Sequence, residues 1–295
     1  MMNNTMVELL TSIGLSSNES IQPYFPRVRD RDDVGVLRCD RSGVICLSQT
    51  DHMDITHYEE MDNLDYWGGG ERNKVIAESR HDNQRRFDSF STMIAGRVWM
   101  DVGTGAGTAL DAFNPVALET IAVEPQQGAR DTLISLGYET FKSVDDIDRS
   151  DIEVASLFHV LEHLTDPIET LRQIRAKLKQ AGQGVLIVEV PHARDFLLSY
   201  LECEPFMNFT FWSEHLILHT RGSLRLFLLE AGFNNIVIRG VQRYPLSNHL
   251  HWLRHSKPGG HKAWGILNNP KLSEVYESTL NSIDATDTLV AVATT

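Results

Sequence analysis

The sequence predicts an α/β protein built on a largely parallel, doubly wound sheet that holds a nucleotide cofactor, and three features predict it. First, Val98-Trp-Met-Asp-Val-Gly-Thr-Gly-Ala-Gly107 is an apolar run that ends in a glycine-rich turn and leads into the helix-compatible Thr108-Ala-Leu-Asp-Ala-Phe113. Glycines at 103, 105 and 107 let the chain bend sharply and let a ligand approach without meeting a Cβ, while the helix start offers free N–H groups and a positive dipole end. Second, the next apolar run, Glu119-Thr-Ile-Ala-Val-Glu-Pro125, carries Glu124 about 20 residues on, where such folds put an acid for ribose hydroxyls. Third, Val154-Ala-Ser-Leu-Phe158 is continuously apolar, as strands buried on both faces of a parallel sheet are.

Taken in order, residues 1–71 lack α/β alternation and read as a small β-rich module. It holds a short helix at Met6 to Ile13 and a hairpin of Val34 to Cys39 and Val44 to Ser48 around Asp40-Arg-Ser-Gly43. Asp62 to Gly70, with Tyr66 and Trp67, is either a lid or the contact that packs this module onto the main domain. Residues 72–295 form the main domain, beginning with a helix from Arg72 to Met93. After Gly107 the chain predicts a helix to about Phe113, a strand to Glu124, a helix over Gln126 to Leu136, and a strand over Glu139 to Val144. A strand over Asp151 to Val160 follows. Asp166 is the expected cap of the next helix, with Pro167 at its first position and Gly182 past its end. Gly184 to Pro191 is the fifth strand, a helix starts after Thr220, Asn235 to Arg243 is the sixth strand and Asp287 to Thr294 the seventh. A basic insertion, 245–285, separates the last two.

Composition narrows the function classes. A chain of 295 residues with 42% hydrophobic content can bury a full core. A formal net charge of −13 argues against a general nucleic-acid binder, which needs a basic surface. No apolar run approaches membrane-spanning length and the first residues lack a signal-peptide pattern, so a soluble, cytoplasmic protein is expected, with no membrane partner. The three cysteines, 39, 46 and 203, form no paired framework and fit a reducing compartment. Between Glu230 and Glu274 there is no acidic residue, while Arg243, His249, Arg254, Lys257 and Lys262 lie there, the lysines flanking a glycine pair that can form an anion-binding concavity. This segment is either a surface for a phosphate-bearing substrate or a solvated stretch without acids. His251 and His255 stand at i and i+4 but lack an evident third ligand, and Cys39, Cys46, His52 and His57 lack a standard zinc spacing, so no metal is expected.

Gly103-Thr-Gly-Ala-Gly107, with Asp101 two residues before it, departs from the G-x-G-x-x-G of dinucleotide sites. It resembles motif I of class I S-adenosylmethionine (SAM) dependent methyltransferases. Phe158-His-Val-Leu-Glu-His-Leu164 is similar to a segment of a broad group of the same enzymes. The resemblance implies a Rossmann-like seven-stranded sheet closed by an antiparallel last strand, SAM as cofactor and S-adenosylhomocysteine as product. It further implies Asp101 and glycines 103, 105 and 107 around the methionine moiety, Glu124 on the ribose, and Asp145 or Asp146 on the adenine amino group, for which a loop acid is the alternative. Phe158 and His159 are expected at the methionine end; Glu162 and His163 read as packing residues of the turn. Leu37-Arg-Cys-Asp-Arg-Ser-Gly-Val44 resembles the second knuckle of a zinc ribbon with Ser42 in place of a cysteine, which implies a degenerate ribbon without metal.

Glu214-His215, ahead of a Ser-Leu helix, resembles the segment of deoxysugar C-methyltransferases in which a Glu-His pair serves the active site, with Trp212 and Ser213 where those enzymes have Tyr-His. This implies His215 as base, Glu214 as its partner, and a sugar or nucleotide-sugar acceptor in polysaccharide or glycoside biosynthesis. Independently of the family, methyl transfer needs two positioned reactants and usually the loss of one proton, and histidine titrates near neutral pH. The alternatives are methylation of another small anionic metabolite, a non-catalytic SAM-binding module, and, last, an NAD-dependent dehydrogenase.

Overall fold

The computed structural model describes residues 5–53 and 72–295. Tyr66, Trp67 and His57 lie outside the described residues. Seven strands form the main sheet: β4 (Val98–Val102), β5 (Glu119–Val123), β6 (Glu139–Phe141), β7 (Val154–Phe158), β8 (Val185–Pro191), β10 (Asn234–Val241) and β11 (Thr288–Thr294). Their order across the sheet is β10-β11-β8-β7-β4-β5-β6. β4 through β8 run parallel, and β11 enters antiparallel between β8 and β10, pairing Thr288 to Thr294 with Pro191 to Val185. The expected antiparallel last strand is therefore present, and it buries the chain end one place in from the edge.

The strand order reverses at β4, whose neighbours are β5 and β7, and a cofactor cleft forms at the carboxyl ends beside such a switch point. Every residue of β4 is buried, which explains why it is apolar apart from Asp101. Local chemistry fixes the helices. Asp166 accepts from the Glu169 N–H at 3.2 Å, and Pro167 opens the helix Pro167–Lys177. Thr220 and Ser223 cap the helix Arg221–Glu230 reciprocally. The helix Arg72–Ile94 buries Phe90 and Ile94 against Trp99 and Phe113 on one face of the sheet.

A second, antiparallel sheet runs β1 (Ile21–Phe25), β2 (Val36–Cys39), β3 (Ile45–Leu47) and β9 (Ile217–Leu218). The hairpin of β2 and β3 matches expectation. The fourth strand comes from far along the chain, beyond β8 of the main sheet, where Ile45 pairs with Leu218 and Cys46 with Ile217. Core residues of both sheets belong to one continuous apolar cluster. Cys39 and Cys46 are buried thiols, Cys39 contacting the Ser20 hydroxyl at 3.3 Å, and His52 Nε2 meets the Ser213 carbonyl at 2.8 Å.

One cap carries a testable charge. Asp195 caps the short helix Phe196–Ser199, accepting from the Leu197 N–H at 2.6 Å. Burial, aided by the Asp287 carboxylate, pushes its carboxyl up to about 8. The folded state thus holds a proton that the unfolded chain releases above about pH 4, so this residue's contribution falls as pH rises from about 4 to about 8 and is flat beyond. Asp195→Asn keeps an acceptor oxygen without the charge. Its melting temperature is expected to match or exceed that of the unmodified chain at pH 8, with a shallower pH slope; parallel slopes in a pH series of thermal melts would contradict this.

Candidate active site

A cavity of ≈ 280 Å³ opens at the carboxyl ends of β4, β5 and β7. Gly103 and Gly105 form one wall, with φ of 70° and 54°, and Glu124 closes the end of β5. Glu124 is the keystone of the turn. Its carboxylate accepts the Gly105 N–H at 2.7 Å and the Gln126 N–H at 2.9 Å, so one side chain shapes the glycine loop and lines the cavity. Burial raises its pKa despite these two backbone donors. The opposite wall runs from His159 through Val160, His163 and Leu164 to Asp166, and Lys142, Ser143 and Val144 close the far end.

Asp101 does not line this cavity. Its buried carboxylate accepts the Ser156 hydroxyl at 2.6 Å and the Thr104 hydroxyl at 2.8 Å, while Trp99 Nε1 donates to Ser156. Burial pushes it up to about 6. The acid before the first glycine therefore ties the turn to β7 from beneath. Gly107, with φ 74°, packs behind the turn, where an added Cβ would meet Leu133 at 2.5 Å. Asp145 accepts from Gln173, a cavity residue, at 2.8 Å, and Asp146 accepts from both the N–H and hydroxyl of Ser143 at 2.9 Å. Both act through the residues that face the cavity. Phe158 points away from it, stacking on Phe90 at 6.1 Å with the Arg86 guanidinium 4.6 Å over its ring. β7 ends at Phe158, and the left-handed turn at His159, φ 58°, sends its side chain to the cavity, so the expected pair Phe158 and His159 is split.

His159 lines the cavity in a left-handed backbone conformation, φ 58°, uncommon for a residue with a side chain. Its Nδ1 lies 3.1 Å from Glu162 Oε1, and its Nε2 lies 3.2 Å from Glu189 Oε1 and 3.0 Å from an Arg243 nitrogen. Burial and Arg243 act to lower its pKa, but the two carboxylates outweigh them and the net direction is up. Glu189, fully buried within β8, receives Arg85 and Arg86 at 2.8 Å each from the helix Arg72–Ile94. Burial alone would raise its pKa; Arg86, His159 and Arg85 reverse the sign and hold it well below the ordinary carboxylate range. Sequence reasoning misses this charged network. Its only trace there is a glutamate inside the apolar run Val185-Leu-Ile-Val-Glu-Val, a buried acid that requires a partner.

Arg243 is spent in the same network, ion-paired with Asp82 through its Nε at 3.0 Å and through a second nitrogen. His249 is buried, Nδ1 meeting the Tyr276 hydroxyl at 2.7 Å and Nε2 the Gln242 amide at 3.3 Å. Arg254, Lys257 and Lys262 are exposed and line no part of the cavity. In the glycine pair the Gly260 N–H already donates to Asn248 Oδ1 at 3.2 Å, and the Lys262 N–H to the Gly259 carbonyl. His215 sits behind the His159 wall, its ring 4.9 Å from that of His163 and 5.4 Å from Trp212. The protein packed around it, with His159 and Arg29, pushes it down to about 3. The expectation is a neighbouring carboxylate that raises its basicity; Glu214 is buried beside it in sequence, and the direction is the reverse.

A cleft at the switch point, a glycine turn that brings bare backbone to its wall and an acid closing the second strand are the features of a nucleotide-cofactor site in a doubly wound α/β fold. The chain belongs to the methyltransferase domain family, whose profile matches residues 75–238. The protein is accordingly a SAM-dependent methyltransferase, and its cofactor is SAM. The glycine turn and the buried Glu124 fit that group. No protein of curated function matches the chain. Among solved structures it is similar to a SAM-dependent methyltransferase from Archaeoglobus fulgidus, with 16% identity, 77% of this chain and 95% of that one covered, and a TM-score of 0.47. It is also similar to a possible histamine N-methyltransferase from Thermotoga maritima, with 15% identity, 75% and 93% covered, and a TM-score of 0.48. A third is a phosphoethanolamine N-methyltransferase of Haemonchus contortus bound to phosphomonomethylethanolamine and S-adenosylhomocysteine, with 15% identity, 72% and 52% covered, and a TM-score of 0.46. Among the described residues no helix is long and apolar enough to cross a membrane.

Proposed function

We propose that the chain methylates a small-molecule acceptor in the cytoplasm, and that the acceptor is a sugar or a nucleotide-linked sugar. The observation that carries the reading is the cavity enclosed between the glycine turn with Glu124 and the wall from His159 to Asp166. When bound there, SAM supplies a methyl group on a positively charged sulfur. Gly103, Gly105 and Glu124 are the residues to hold it, and His159, locked by two carboxylates, is the fixed wall on the acceptor side.

The sugar assignment is supported by the resemblance around Glu214-His215 and by the mixed character of the neighbouring surface. There the Trp212 indole stands against two imidazoles, an apolar face beside groups that hydrogen-bond. His215, with its low proton affinity, is neutral at pH 7 and offers a lone pair; it is a weak base. Proximity and orientation therefore carry more of the rate in this reading than proton abstraction by His215 does.

Titration calorimetry with SAM and S-adenosylhomocysteine tests the cofactor seat. The unmodified chain is expected to bind both, and Gly105→Val to bind at least about 100-fold more weakly, a cost of about 2.7 kcal/mol. Release of S-adenosylhomocysteine is then screened across nucleotide sugars and simple glycosides. Failure of the unmodified chain to bind either compound ends the methyl-transfer reading; binding with no turnover on any sugar ends the sugar assignment.

A further inference from the structure

We propose that Glu162, His163 and His215 form a site for one divalent transition-metal ion at the acceptor end of the cavity. One ligand atom from each of the three lies within 4.8 Å of the other two. Bonds of about 2.0–2.2 Å to nitrogen and oxygen let two donors of one ion stand up to about 4 Å apart, so the three groups need to close by less than about 1 Å. Two imidazoles with one carboxylate suit zinc, iron, cobalt or manganese and leave further positions open.

One observation points to an occupant, and a second shows that the frame is set in advance. Glu162 is completely buried, and its Oε2 has no hydrogen-bond partner among the described residues. A buried carboxylate oxygen without a partner costs free energy and calls for an explanation, and a cation is the natural one. Its other oxygen is already engaged by His159 Nδ1 at 3.1 Å, which holds the carboxylate in place and leaves Oε2 to a further partner. The backbone is also set in advance. Leu216 N–H donates to the Glu162 carbonyl at 2.8 Å, pinning the chain next to His215 onto the turn Leu161–His163, so ligands from distant parts of the chain meet on hydrogen-bonded main chain.

His163 lines the cavity while Glu162 and His215 lie behind its wall, so such an ion would sit at the wall, with His163 as its link to the acceptor space. The site would take oxygen donors, a hydroxyl or a pair of adjacent hydroxyls on the acceptor. This role rests on the methyl-transfer reading; metal binding itself does not. It also gives His215 a task that its low proton affinity does not impede, that of a lone-pair donor to a metal.

The test uses the full chain, free of any affinity tag and stripped with a chelator. Zn²⁺ is titrated calorimetrically, and Co²⁺ is added while its visible absorption is read. A single site with the absorption of nitrogen and oxygen ligation is expected. His215→Ala and Glu162→Gln should each weaken Zn²⁺ binding at least about 100-fold. His255→Ala, at the other histidine pair, should leave it unchanged. Circular dichroism checks folding; should Glu162→Gln fail to fold, His215→Gln replaces it, since His215 is only partly buried. No metal bound by the unmodified chain, binding retained in the His215 variants, or binding lost in His255→Ala overturns the proposal. SAM titration in chelator on the same samples separates the two ideas: SAM without metal leaves only the cofactor reading, and metal without SAM leaves only the site.

Discussion

Gly103→Val is expected to give a chain that folds, less stably, and no longer binds SAM measurably. Gly103 adopts φ 70°, a left-handed conformation that costs a residue with a side chain roughly 1–2 kcal/mol. The added Cβ would stand 2.4 Å from one Val160 methyl carbon and 2.9 Å from the other, and a valine has no long, flexible arm to withdraw. Gly103 and Val160 pack against each other and both line the cavity, so any relief moves its lining. A loss of affinity of at least about 100-fold should appear in calorimetry, with a drop in stability of about 1–3 kcal/mol in urea unfolding. Gly103→Ala should show the same sign, smaller. Unchanged SAM affinity in Gly103→Val would remove this glycine from the cofactor seat.

The second large effect is on stability. Glu189→Ala removes the carboxylate oxygen that Arg85 and Arg86 share, leaving Arg85 its pair with Asp82 at 3.3 Å and Arg86 the Asn83 amide oxygen at 3.4 Å. Breaking a buried ion pair by removing one partner typically costs about 3–5 kcal/mol, and here the buried Arg86 charge loses its counter-charge while Arg85 keeps Asp82. A drop of that order in urea unfolding at neutral pH is expected, enough to leave a marginal domain largely unfolded. Glu189→Gln, which keeps an acceptor oxygen, should fall between. A change under about 1 kcal/mol in Glu189→Ala would mean that the arginines find water, and the network would then be a surface feature.

The parts of this fold that sequence made legible are those whose cause is local. The glycine turn, the Asp166-Pro167 cap and the apolar strands each advertise themselves within a few residues, and all lie where expected. The identity of Glu124 as the second-strand acid followed from spacing alone. What stayed hidden depends on pairs far apart. Nothing local says that Arg85, Arg86 and Glu189, distant in the chain, share one oxygen. Phe158 and His159 part because the strand ends between them and His159 turns left-handed, a backbone choice that a histidine does not advertise. Asp101 and Asp146 show a different gap: the residue type indicates that an acid is needed, but only the fold tells whether its carboxylate meets the ligand or braces the residues that do. In the same way, the insertion after β10 advertised charge, and the fold turns Arg243 and His249 inward while leaving the lysines to solvent.

The short strand β9 also bears on how this protein can be handled and how its ancestry could have been assembled. It completes the N-terminal sheet, and Leu47 donates its N–H to the Leu216 carbonyl, one position from His215. Removing the chain up to Met53 to obtain a minimal catalytic core would strip the partner from an apolar strand, exposing an unpaired edge that invites self-association, and would leave the segment that carries His215 held from the Glu162 side alone. The amino-terminal part is thus no detachable appendage. Grafting it onto another transferase, or trimming it for crystallisation, would be felt first in the placement of one imidazole.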